Sequence, residues 1–209
     1  MSDVNSQEHW ESVYSTKSES ELSWTQSDPS LSLSLIRDLC PADGRVIDIG
    51  GGASRLAERL LESNYAVSVL DISATAISRS RARLGAAAAK INWITADVTS
   101  LASVGEFELW HDRAVFHFLT ETAKRQKYIA LLERSVVAGG HAIIATFALD
   151  GPQRCSGLEV CRYDGSSLAR EIGGGFELLG SESEMHFTPW GKPQSFQYSL
   201  FRRNHLLLR

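Results

Sequence analysis

The feature that most constrains this chain is an alternation of short β-rich runs with helical stretches along its first two thirds. Runs rich in β-branched and apolar residues fall at Arg45 to Ile49, Ala66 to Ile72, Ile91 to Thr95, Phe107 to His111 and His141 to Phe147, bounded by Gly, Asp or Ser. Between them, Ser54 to Ser63 carries Leu56, Leu60 and Leu61 at helical spacing, and Ser73 is placed to cap a helix running to Leu84. Thr120 to Val137 is the longest predicted helix: Tyr128, Leu131, Leu132, Ser135 and Val136 recur every three or four residues, and Gly139-Gly140 is read as its C-terminal stop. Strands that alternate with helices imply parallel βαβ units with right-handed crossovers. The last third differs, because Phe176 to Phe187 and Ser195 to Arg203 are joined by Thr188 to Pro193, too short a span for a helical crossover. The expected architecture is therefore a doubly wound α/β fold with a seven-stranded, mostly parallel sheet that ends in an antiparallel hairpin.

Composition narrows the class of partner. At 209 residues the chain fits one domain, and 21 Lys and Arg against 25 Asp and Glu give a formal charge of -4 with no basic run to follow a phosphate backbone. Nucleic acid is excluded as an expected partner. The start lacks an apolar signal core and no apolar stretch is long enough to span a bilayer, so no membrane association and a cytoplasmic location are expected. Cys40, Cys155 and Cys161 lack the spacing of a zinc or redox motif and no metal is expected; reduced thiols are the simplest reading, with a Cys155–Cys161 bridge as the alternative.

The first strand runs into a glycine turn, Asp48-Ile49-Gly50-Gly51-Gly52, where ligands of open α/β sheets bind. The dinucleotide fingerprint G-x-G-x-x-G fails at its third glycine, which here is Arg55. Asp71, with Ile72, ends the second strand, where a carboxylate accepts the two hydroxyls of a ribose. Asp97 follows the third strand, positioned to accept from an adenine amino group while the Val98 N–H donates to the ring. Each Asp alone also suits a helix cap or a turn; three at successive strand ends point to a nucleoside-bearing ligand.

These residues resemble the signature of the class I S-adenosylmethionine-dependent methyltransferases, and the resemblance runs from about Trp10 to Arg203. It implies S-adenosyl-L-methionine as cofactor, with the methionine part packed on Gly50, Gly51 and Gly52. Two further segments resemble the thiopurine and thiol methyltransferases. The lead Trp10-Glu11-Ser12-Val13-Tyr14, followed by Trp24, is similar to a W-x-x-x-Y…W segment that folds over the cofactor, and is shared with lysine methyltransferases acting on elongation factors. Asp112-Arg113-Ala114 resembles the D-R-G or D-R-A element of the thiopurine group, which implies that Arg113 lies beside the methionine end. Gly157-Leu158-Glu159-Val160 is similar to the G-P-P-F-x-V segment of that group, although Ser156-Gly157-Leu158 stands where it has prolines.

Methyl transfer from a sulfonium is an in-line displacement, so alignment matters more than a dedicated nucleophile. The expected catalytic residues are Arg113, Asp112 and His117, with Asp112 serving as base or as a partner orienting Arg113, and His117 as base or as packing. Trp10, Tyr14, Trp24, Asp48, Gly50, Gly51, Gly52, Asp71, Ile72, Asp97, Val98, His111 and Arg113 are expected at the cofactor. Residues 1–30 are read as a segment that covers the cofactor, within which Trp10 to Trp24, without a periodic face, is expected to be mobile until cofactor binds, and residues 31–209 as a single methyltransferase domain. The expected acceptor is a small molecule, a thiol or related sulfur compound first. Protein lysine N-methylation is the alternative, and a nicotinamide-dependent oxidoreductase or a non-catalytic cofactor binder the further one.

Overall fold

The computed structural model describes residues 6–205. Two helices, α1 (Ser6–Thr16) and α2 (Ser30–Leu39), precede the first strand, β1 (Arg45–Ile49). There follow α3 (Leu56–Glu62), β2 (Ala66–Asp71), α4 (Ala74–Leu84), β3 (Asn92–Thr95), β4 (Phe107–Arg113), α5 (Thr122–Ser135) and β5 (Val136–Phe147). A small hairpin of β6 (Arg154–Cys155) and β7 (Leu158–Glu159) leads to α6 (Gly165–Ile172), then β8 (Phe176–Phe187) and β9 (Pro193–Arg203). Seven strands form one sheet in the order β3-β2-β1-β4-β5-β9-β8. The first five pair in parallel, while β9 runs antiparallel to both β5 and β8, so the expected sheet with its terminal hairpin is observed.

Alternation along β1 supplies both faces of the core. Val46 faces the layer of α2 and α3, with Ile36, Leu56 and Leu60, whereas Ile47 faces the layer of α5 and α6, with Tyr128, Leu132 and Leu168. Ser73 caps α4 as expected, its side chain accepting from the Ala76 N–H.

Three readings of the elements need correction. Residues 10–24 carry a periodic face after all: α1 places Trp10, Val13 and Tyr14 at spacings of three, four and one, and Val13, Tyr14 and Leu22 pack on Ala76 of α4. Helix α2 was not foreseen, because Ser30-Leu31-Ser32-Leu33-Ser34-Leu35 alternates with the period of a strand; α6, short and polar, also went unread. Helix α5 ends at Ser135 and the next residue already begins β5, so Gly139-Gly140 does not stop a helix. The two glycines lie where the β4–β5 register shifts; Gly139 has φ +77°, and a Cβ on Gly140 would meet the Glu108 carbonyl oxygen at 3.0 Å. The loop from Leu149 to Tyr163 contains β6 and β7 and is thus partly paired.

A polar chain crosses the α5 layer. Trp110 Nε1–H donates to the Tyr128 hydroxyl at 2.8 Å, and that hydroxyl donates to Asp112 Oδ2 at 2.6 Å, all three side chains being fully buried. Tyr128→Phe leaves a buried indole N–H without an acceptor and takes one donor from a buried carboxyl, a loss of about 1–3 kcal/mol. Urea unfolding of that variant is expected to show a lower midpoint with an unchanged slope; an unchanged midpoint would mean the chain contributes nothing.

Candidate active site

The carboxyl ends of β1 to β4 open on one cavity of about 1060 Å3, partly open to solvent. Gly50, Asp71, Ile72, Asp97 and Val98 line its sheet side, and Trp10, Tyr14 and Trp24 come over it from the N-terminal segment. Arg113 lies on the boundary with a smaller adjoining cavity of about 620 Å3, lined by Asp48, Gly51 and His111 as well as Tyr14, Trp24 and Gly50. Gly52 lines neither; its N–H donates to Asp71 Oδ2 at 2.9 Å.

The glycine turn is built for close approach. Gly50 has φ +70°, and a side chain there would collide with Val115; a Cβ on Gly52 would lie 2.6 Å from the Asp71 carboxylate. Asp71 Oδ1 accepts from Ser73 N–H at 2.8 Å. Burial pushes the Asp71 carboxyl up to about 6 against the lowering effect of these two N–H donors. Its two oxygens retain lone pairs for further donors.

The N-terminal segment is tied down at both ends. Glu11 on α1 accepts from the Ala74 and Thr75 N–H groups, satisfying free donors of the first turn of α4. Arg113 donates to the Trp24 carbonyl at 3.1 Å, to the Tyr198 hydroxyl at 3.0 Å and to Glu184 at 3.3 Å, with its guanidinium 4.2 Å from the centre of the Phe196 ring. Between these ties, Trp10 makes edge contacts with Trp24 at 5.5 Å and Phe118 at 5.0 Å.

Two of the expected catalytic residues are elsewhere. Asp112 does not orient Arg113, because neighbouring residues of a strand point to opposite faces. It is fully buried on the α5 side, accepting from the Val115 and Phe116 N–H groups and from Tyr128, and burial raises its carboxyl to about 6. His117 lines neither of these two cavities. Its ring is fully buried between Phe118 and Phe147, Nδ1 accepts from the Phe147 N–H at 3.3 Å, and burial drives its pKa down to about 3, so it is a neutral packing residue. His111 also lies off the main cavity, between Asp48 and Ser32.

Several lining residues were not anticipated: Phe118, Leu119, Phe147, Cys155, Leu158 and Phe196. Aromatic residues within strands read as core, and only the three-dimensional sheet order brings β5 and β9 to this wall. Glu184, which pairs with Arg113 across 71 positions, gave no local signal at all.

Comparisons with known proteins bear on the family and the fold. Residues 46–140 match the family model of a methyltransferase domain. Over 100 residues the chain is 27% identical to Nodulation protein S of Rhizobium tropici, a match covering 48% of this chain and 42% of that protein. Among solved structures, it superposes with TM-score 0.77 and 20% identity on a chain from work on conversion of a disulfide bond into a thioacetal group during echinomycin biosynthesis, covering 95% of this chain and 93% of that one. With the 1,6-didemethyltoxoflavin-N1-methyltransferase of Burkholderia thailandensis, the TM-score is 0.65 at 18% identity, covering 97% and 85% of the two chains. Residues 46–140 are thus similar to a methyltransferase domain, and the chain has the class I methyltransferase fold, a seven-stranded, mostly parallel sheet with a terminal antiparallel hairpin.

Proposed function

We propose that this protein transfers a methyl group from S-adenosylmethionine to a nitrogen atom of a small, flat organic molecule. The observation that carries this reading is the continuity of the main cavity. The acids at the ends of β2 and β3 line one side, and Trp10, Trp24, Phe118, Phe147 and Phe196 line the other, so that a donor and a flat apolar acceptor fit side by side. The residues present suit the donor: an uncluttered glycine turn for its methionine part, Asp71 for its ribose hydroxyls, and Asp97 with the Val98 N–H for its adenine, with Ile72 beside it. When bound, the donor supplies a methyl group on a sulfonium with a good leaving group. Trp10, Tyr14 and Trp24 exclude water over it, and residues 6–30 act as its cover, with residues 31–209 as the methyltransferase domain.

The acceptor side argues for an uncharged nucleophile. Arg113 is matched by Glu184 and spends its donors on Tyr198, Trp24 and that carboxylate, so it is not a free cation for stabilising a thiolate. His117 is a neutral, enclosed ring, so it takes no proton from the acceptor. A nitrogen lone pair attacks without prior ionisation, and its proton leaves to solvent after transfer. The N1-methyltransferase among the structural neighbours supports this choice. Sulfur is the second reading, supported by the likeness over 95% of the chain to the protein of thioacetal formation. A nicotinamide-linked reaction is disfavoured by the antiparallel β8–β9 hairpin and by Arg55 in the turn.

Four outcomes test the proposal. Incubated with labelled donor and a panel of aromatic amines, N-heterocycles, thiols and lysate protein, the enzyme is expected to label the nitrogen compounds; exclusive labelling of thiols or of protein lysine would replace this reading. Asp71→Asn is expected to weaken S-adenosylhomocysteine binding about ten- to a hundredfold by calorimetry, the loss for hydrogen bonds to a charged group. In the wild type, affinity should hold above pH 7 and fall as pH drops through about 6, where Asp71 protonates and loses acceptor capacity, and this step should vanish in Asp71→Asn. Finally, S-adenosylhomocysteine should slow tryptic cleavage at the exposed Lys17 if residues 6–30 tighten over the ligand; equal rates would count against that role.

A further inference from the structure

Asp48 is 2% exposed, yet only half of its carboxylate is satisfied. Oδ1 meets His111 Nδ1 at 2.7 Å, whereas buried Oδ2 has no hydrogen-bond partner among the described residues. A buried acceptor left open in this way is costly unless a donor arrives from outside the protein. Oδ2 lies directly under Gly51, where any side chain would collide with it, and Asp48 lines the smaller cavity beside Arg113.

The other side of Asp48 is rigidly held. His111 Nε2 is 3.0 Å from the Ser32 hydroxyl, so both ring nitrogens are engaged and the imidazole cannot turn. With Nδ1–H donating to the carboxylate, Nε2 accepts from Ser32. Ser32 and His111 line the same cavity at 1% and 2% exposure, with both ring nitrogens and the hydroxyl already engaged in this chain to Asp48. The other charges at the smaller cavity are matched in pairs, Arg55 with Glu19 at 3.3 Å and Arg113 with Glu184. Asp48 is left as the anion with open capacity.

We propose that Ser32 and His111 are positioning residues that hold Asp48 to receive a primary ammonium, the α-amino group of the donor's methionine end, in the smaller cavity. The proposal rests on the reading of the chain as an S-adenosylmethionine-dependent methyltransferase. An ammonium brings both the charge and the N–H that Oδ2 lacks, and a hydroxyl would bring only the hydrogen bond.

The test compares, by calorimetry, S-adenosylhomocysteine with 5′-methylthioadenosine, which keeps the nucleoside and thioether but lacks the amino-acid end. His111→Leu is expected to weaken S-adenosylhomocysteine about ten- to a hundredfold while leaving 5′-methylthioadenosine within about twofold. His111→Asn, whose amide N–H replaces Nδ1–H, should recover most of that loss. Ser32→Ala should give a smaller selective loss, and it carries the test should His111→Leu fail to fold. Equal weakening of both ligands in the folded variants, or no weakening of either, would overturn the positioning role and leave the donor assignment intact. A wild-type protein that binds neither ligand would instead overturn the donor assignment itself.

Discussion

Three consecutive polar side chains end the central strand of the sheet, His111 and Asp112 buried and Arg113 largely so. His111, Asp112 and Arg113 on β4 are flanked by β1 and β5, and each must find partners within the protein. His111 takes Asp48 of β1 and Ser32 of α2. Asp112 takes the backbone of the following turn and Tyr128 of α5. Arg113 takes the N-terminal segment, β8 and β9. The surroundings of β4 are thereby tied to its last turn of pleat, and the pleat sends Asp112 to one face and its two neighbours to the other. Because the same strand end opens on both cavities, the satisfaction of these groups and the shape of the site are one problem.

How much of this was legible in the sequence follows from the range of the interactions involved. The glycine turn and the acids at Asp48, Asp71 and Asp97 are properties of single strand ends, and they stood out without any knowledge of the fold. The terminal hairpin was readable because the span from Thr188 to Pro193 is too short for anything else. What depended on distant pairing was not readable. The pairing of Asp112 with Arg113 was natural in one dimension, where they are adjacent, but the pleat forbids it and supplies Glu184 instead. The serine–leucine alternation of α2 carries the wrong period for the element it forms, and only packing of Leu33, Leu35 and Ile36 against the sheet decides it. Gly139 and Gly140 were correctly seen as punctuation, yet they mark a register shift inside a strand rather than the end of a helix.

The two walls of the main cavity differ in how local they are. The sheet-side wall is made of strand ends, which the sheet fixes, and it falls within the matched segment, residues 46–140. The aromatic wall takes Phe118 from that segment but draws Trp10, Trp24, Phe147, Cys155 and Phe196 from outside it. Chemistry on a shared fold diverges where the contributing residues are free to vary.

The sheet has two open edges, and they are guarded unequally. At one end β3 has four residues, too few to template a long pairing. At the other, β8 runs for twelve residues beside a single neighbour and offers a full row of unpaired backbone groups. Glu177 and Glu182 stand exposed along it, together with the apolar side chains of Leu179, Met185 and Phe187. Arg202 matches Glu177 and Arg113 matches Glu184, so Glu182 is the carboxylate that two copies brought edge to edge would set against each other, beside apolar groups that favour the same approach.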